Sequence, residues 1–208
     1  MLSFTRFILS LFIISNTFLL AGCGLKPIHI TPTQTYILNP TIPTIKAKPS
    51  QLTLLVETPK ANPAFDTTQM AYVNKPYQLA YFSYNQWADT PAQMLHPLLV
   101  EALQNTNHFH AVIGNANSTK YDMVLSTRML ELQQVFLQQP SQIQLSVRIQ
   151  LVDNNSHRVI AIKQLTITEP ATENNPYSGV MAANKATEKL LQQISEFCVV
   201  NTSQLTTQ

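Results

Sequence analysis

The chain has 208 residues and a formal net charge of +2, thirteen basic residues standing against eleven acidic ones. So even a balance, with 12% of residues charged, leaves no field of the kind that holds nucleic acid. The glycines are Gly22, Gly24, Gly114 and Gly179, from which neither GxGxxG nor GxxxxGK[ST] can be written, so both phosphate loops are excluded. Hydrophobic residues make up 45% of the chain and Gln, Asn and Thr are abundant. That composition fits a globular protein with a polar, thinly charged surface and not a disordered tail. The length corresponds to about one domain, two at most.

Residues 1–22 read as an address. Arg6 is the one charged side chain before Lys26, and Phe7 to Leu20 is an apolar run broken by Ser10, Ser15, Asn16 and Thr17. A transmembrane helix needs about 20 apolar residues, so this run is short for a span and right for a signal-peptide core. It ends in Leu20-Ala21-Gly22-Cys23, which resembles the bacterial lipoprotein box. There the Cys thiol takes a diacylglycerol, the chain is cut before it, and the new amine is acylated. Cys23 is therefore the expected lipidation site. Two or three acyl chains exceed the single-chain regime of reversible membrane binding. Gly24 follows in place of Asp, which by enterobacterial sorting rules favours the outer membrane. The other thiol, Cys198, sits among Ile194, Phe197 and Val199 and reads as a small buried hydrophobe.

Residues 23–35 are expected to form a tether. Five of the thirteen prolines fall between residues 24 and 50, and proline at that density favours extended chain, roughly 35 Å over a dozen residues. Residues 36–201 are expected to form one α+β domain, and residues 202–208 a disordered tail. Tyr36-Ile37-Leu38 reads as a first short strand, and residues 51–58 as a second. Residues 69–74 and 77–84 flank Lys75-Pro76 as an antiparallel hairpin. Asp89 or Thr90 caps a helix with Pro91 at its first position, and Pro97 predicts a kink or a start delayed to that residue. Residues 109–114 read as a short strand. Residues 121–137 read as a long one whose alternation slips at Met129 and Leu130, predicting a bulge. Over residues 142–152, Ile143, Leu145, Val147, Ile149 and Leu151 alternate with polar residues, the pattern of a strand with one buried face. Residues 153–157 form a turn, 158–168 the returning strand, and Asn175-Pro176 opens a final helix to about Val200. Ala183, Ala186, Leu190, Leu191, Ile194 and Phe197 are its apolar stripe. The predicted fold is thus α+β, a mostly antiparallel sheet with two main helices packed on it.

Local chemistry is sparse. His108 and His110 lie two residues apart without a nearby third ligand, and they read as solvated edge residues, so no metal site is expected. Carboxylates are scattered singly, and no GxSxG or SxxK occurs, so no catalytic residues are assigned. The aromatic stretch from Tyr72 to Trp87 carries more information. Tyr77, Leu79 and Tyr81 fall on one face of the hairpin, Phe82 and Tyr84 on the other. Cross-strand packing accounts for one face, leaving the other for a helix or a partner. Tyr77, Tyr81, Tyr84 and Trp87 are therefore the candidate partner-binding residues, with Trp87 the most apt to be core and Tyr84 the most apt to be exposed.

In order and spacing the chain resembles the ABC-type transport auxiliary lipoproteins, the group that includes the paraquat-inducible C component of MCE transport systems. The box at Leu20–Cys23, Tyr36-x-Leu38 and Leu52-x-Leu54-x-Val56 leading to Pro59 carry the match, as do Tyr72, Tyr81 and the segment Asn85 to Pro91. Leu95, Leu103, Phe109-x-x-Val112, Tyr121, the turn at Asp153, Arg158-Val159-x-Ala161, Pro170-Ala171 and the Ala-rich last helix complete it. Asn174-Asn175-Pro176-Tyr177 departs from the expected Ala-richer loop. The resemblance implies a non-catalytic lipoprotein facing the periplasm from the outer membrane, with no cofactor beyond the diacylglycerol and N-acyl chain on Cys23. Its implied partners are an MCE-domain periplasmic protein with its inner-membrane permease and ATPase, and further copies of itself in a homo-oligomeric ring. Two other classes stay open: a lipoprotein cofactor of peptidoglycan synthesis or lipopolysaccharide assembly, and an envelope hydrolase.

Overall fold

The computed structural model describes residues 31–116 and 120–203. The leader 1–22, Cys23 with the first part of the tether, and residues 204–208 lie outside the described residues. From Thr33 onward the chain folds as one unit.

Its organising element is β7 (Met123–Val135), which pairs antiparallel along its whole length with β8 (Gln142–Asp153). β8 pairs antiparallel in turn with β9 (Val159–Pro170). The other edge of β7 is shared by three short strands in succession: β2 (Thr53–Val56), β3 (Lys60–Ala61) and β4 (Gln69–Lys75), all parallel to it. β6 (Ala111–Ile113) extends the sheet beyond β2 in parallel. β5 (Gln78–Trp87) extends it beyond β4 as a hairpin, and β1 (Gln34–Tyr36) adds to β5 in parallel. The α+β reading with two helices stands, and the sheet is mixed. The returns that make the parallel pairs come from β2 to β4 running alongside β7, which neighbouring-strand logic does not anticipate.

β8 shows why these residues make this sheet. Ile143, Leu145, Val147, Ile149 and Leu151 are all at most 3% exposed, while Arg148 between them stands in solvent. Burying each such aliphatic side chain contributes about 1.5–3 kcal/mol, and a one-residue slip would exchange that face for the polar one. The predicted bulge is present, the register shifting between Met129 and Glu131. At the β8–β9 turn, Asp153 accepts the Ser156 backbone N–H at 2.9 Å, and this bond holds its carboxyl below the usual range.

The helices cover one face. α1 (Pro91–Gln104) starts at Pro91 and is not delayed to Pro97. The Thr90 hydroxyl accepts the Gln93 N–H at 3.4 Å as its cap, and Pro97 lies on the exposed side, where water can meet the carbonyl that lacks its donor. α2 (Pro176–Ser203) packs across β7, β8 and β9 and touches α1. Its predicted stripe is buried, Leu190, Leu191 and Ile194 being wholly inside. Thr202 and Ser203 belong to this helix and not to a tail. β1 lies two residues earlier than Tyr36-Ile37-Leu38, because its partners are Asn85 to Trp87; Leu38 is buried as irregular chain.

Candidate interaction surface

The β4–β5 hairpin ends in Lys75-Pro76-Tyr77-Gln78. Proline fixes the second position of the turn, and the third then takes a positive φ, a place usually given to glycine. Here it is Tyr77, at φ 65°, and its side chain is fully exposed. A bulky residue held there costs on the order of 1 kcal/mol. Leu79, also exposed, stands opposite Val73. Val73 in turn accepts the backbone N–H of Phe136 at 2.8 Å, so exposed Leu137 follows at the same end of the sheet. An apolar trio of Tyr77, Leu79 and Leu137 therefore crowns the hairpin end. Leu137 lies two residues past the end of β7, and nothing in its local sequence marks it as surface.

Tyr84 lies further down β5. Gln69 pairs with Gln86 but Ala71 pairs with Tyr81, so β5 spends three more residues than β4 over this stretch. The extra chain is a bulge that lifts Ser83 and Tyr84 outward, leaving Tyr84 52% exposed. Phe82 takes the face opposite Tyr81 by plain alternation, alongside Tyr72, and the bulge accounts for the exposure of Tyr84. Tyr81 is half-buried, and its hydroxyl donates to the Ala64 carbonyl at 2.9 Å, strapping the short turn Pro63–Phe65 to the hairpin. Trp87 is 3% exposed and is core, which removes it from the candidate surface: β1 pairs beside the end of β5 that carries it, and it belongs to the main hydrophobic cluster. Phe82 stacks on Tyr72 with ring centroids 4.5 Å apart, and Phe136 meets both edge-on at 6.1 and 6.3 Å. That cluster stiffens the hairpin against β7. Of the four aromatic candidates, Tyr77 and Tyr84 are presented to solvent.

The family model for the ABC-type transport auxiliary lipoprotein component matches residues 36–195. The chain belongs to this family. No curated protein matches. Among solved structures, a Xanthomonas campestris protein assigned to a family of unknown function shares 18% identity. That match covers 84% of this chain and 100% of the other at a TM-score of 0.75. An uncharacterised protein shares 13% identity over 81% of this chain and 99% of the other, at 0.64. At such identities the likeness is one of fold.

Elsewhere the auxiliary lipoprotein buries His108 and Cys198. His108 is 2% exposed, and the expectation of a solvated edge residue fails for it. One ring nitrogen lies 2.5 Å from the Lys48 carbonyl and the other 2.8 Å from the Thr202 hydroxyl, a satisfied structural histidine joining the chain before β2 to the end of α2. His110 is exposed, and β6 begins only at Ala111, so the two imidazoles share no strand face. Among the described residues no group of three or more His, Cys, Asp or Glu could hold a metal ion, and no helix is long and apolar enough to cross a membrane. Cys198 is wholly buried, and burial pushes its thiol far above the usual range.

Proposed function

We propose that this auxiliary lipoprotein is an outer-membrane-anchored, non-catalytic component of an MCE-type ABC transport system for lipid or another hydrophobic compound. It is held by acyl chains on Cys23 and docks on the periplasmic part of the transporter through Tyr77, Tyr84 and the neighbouring leucines. The observation that carries the docking surface is Tyr77. A fully exposed aromatic side chain held at positive φ, where glycine would relieve strain, has no benefit to the fold of the isolated domain. Tyrosine is an interface anchor that loses little conformational entropy on docking. Family membership supports the transport role.

A photo-crosslinking residue in place of Tyr84, in intact cells, is expected to capture an MCE-domain protein, a second copy of the chain, or both. Capture of a peptidoglycan synthase or an outer-membrane barrel instead would move the protein to the rival lipoprotein class. The anchor is tested separately. Cys23→Ser should abolish incorporation of a labelled fatty acid and release the protein from the outer-membrane fraction. Label retained on the mutant would sink the lipidation site.

A further inference from the structure

The sheet face turned away from the helices carries an unusual row of charge. Arg128 of β7 stands directly opposite Arg148 of β8 in the antiparallel register. Lys60 of β3 is paired with the same Arg128 from the other side. Three cations on three adjacent strands thus line up across one sheet, all exposed. Like charges set directly opposite in a sheet are destabilising. In this chain the arrangement is not forced by abundance. There are four arginines in all, Arg6, Arg128, Arg148 and Arg158, and two of them face each other here.

Among the described residues none of the three cations forms an ion pair: the one Lys/Arg–carboxylate bridge is Lys189 to Glu169, on another element pair. Glu57 borders the row but accepts a hydrogen bond from the Ser126 hydroxyl. Arg148 reaches only the amide oxygen of Gln164, at 3.4 Å. These side chains wall a cleft of about 330 Å³, with Glu57, Lys60, Ser126, Arg128, Arg148 and Gln150 on its lining. Three cations against one carboxylate leave two positive charges uncompensated. Two guanidinium forks, an ammonium and the Gln150 amide supply donors from different directions.

We infer that the cleft between Lys60, Arg128 and Arg148 is a binding site for a phosphate group. Charge and donor geometry both favour phosphate. A phosphate ester carries the one to two negative charges that the lining lacks, and its tetrahedral oxygens can be shared among paired arginine forks and a lysine. A single carboxylate would leave excess positive charge and unused donors. The phosphate can belong to a lipid headgroup or to a small soluble ester; both present the same oxygens. The site goes beyond the docking role, since it is built on β3, β7 and β8 and not on the hairpin turn that carries Tyr77, and it needs no transporter to be measured.

The test uses the full chain in neutral detergent at low ionic strength. Inorganic phosphate and short-chain dihexanoyl phosphatidic acid are titrated separately by calorimetry, and melting is followed in parallel. Wild type is expected to bind and to melt at a higher temperature with the probe present. Arg128→Gln and Arg148→Gln should each weaken binding about tenfold or more, the cost of losing one charge-assisted contact. Without ligand both variants should melt no lower than wild type, since each relieves a like-charge pair. Preference for phosphatidic acid over inorganic phosphate identifies a headgroup; equal affinity identifies a soluble phosphate. No binding of either probe, or unchanged affinity in both variants, overturns the site. A poly-glutamate peptide binding as tightly as either probe also overturns it, in favour of an acidic protein surface.

Discussion

At the residue scale, Gly179 shows how closely the first turn of α2 is fitted to the sheet. A Cβ built there would lie 2.3 Å from Oε1 of Gln134. That amide cannot swing aside freely, because its nitrogen donates to the Ser141 hydroxyl at 2.9 Å and to the Asn175 carbonyl at 3.1 Å. Gly179→Ala gains about 1 kcal/mol of helix propensity. Displacing two hydrogen bonds and overpacking a buried site costs about 2–4 kcal/mol, so the loss wins. The variant is expected to melt lower than wild type by chemical denaturation, and Gln134→Ala in the same chain should reverse the sign of the glycine substitution. Cys198 offers a second single-residue test. Its raised pKa and complete burial mean that an alkylating reagent meets it only when the chain opens. Labelling in native buffer should run about a thousandfold or more slower than in denaturant. Rapid native labelling would place the thiol at the surface and the α2 phase in error.

At the scale of elements, the strands whose periodicity could be read are those with one wet face. β8 alternates because its outer side chains are polar, Arg148 meeting solvent and Ser146 bonding Thr166 across to β9, and the slip at Met129 is a real bulge. β2 is different. Leu54, Leu55 and Val56 are all buried, since β2 lies between β6 and β7 with cover on both sides, and alternation carries no meaning there. β3 is two residues long and exists only because β7 is beside it. His108 was unreadable for a related reason: its partner Thr202 lies 94 residues away, and no local pattern announces it. The stripe of α2, in contrast, was plain, and it makes the strongest element-level prediction. Leu190 is fully buried against the sheet, and a carboxylate there is unpaired, at a cost of several kcal/mol. Leu190→Asp should therefore unfold the domain at neutral pH, with loss of the circular dichroism signal. A variant that melts like wild type would refute the packing described.

For the whole molecule, the hairpin end divides stability from function. The turn at Tyr77 would be more stable with glycine, which takes positive φ without the steric cost, by about 0.5–1 kcal/mol. Tyr77→Gly is thus expected to melt at or slightly above the wild-type temperature while losing self-association or binding to the transporter component. A drop in both quantities would make Tyr77 a structural residue. The aromatic stretch was visible in the sequence as a group, but not its partition. Trp87 went to the core at the end of β5 that β1 pairs with, Tyr81 was taken by the Ala64 carbonyl, and Tyr77 and Tyr84 were left outside by a turn and a bulge that only the paired strand defines.

The parallel pairing of β1 with β5 has a mechanical meaning. Gln34 lies beside Asn85 and Tyr36 beside Trp87, so the chain enters the sheet from the side on which the hairpin tip lies. A pull on the polypeptide ahead of Gln34, directed along the strand, slides β1 against β5 and strains all of their hydrogen bonds together, where a sideways pull would peel them one at a time. The same β5 carries Tyr84 and leads to Tyr77. Both ends being on one side, a load applied between the segment ahead of Gln34 and the hairpin tip would instead open the β1–β5 pair from its first residues.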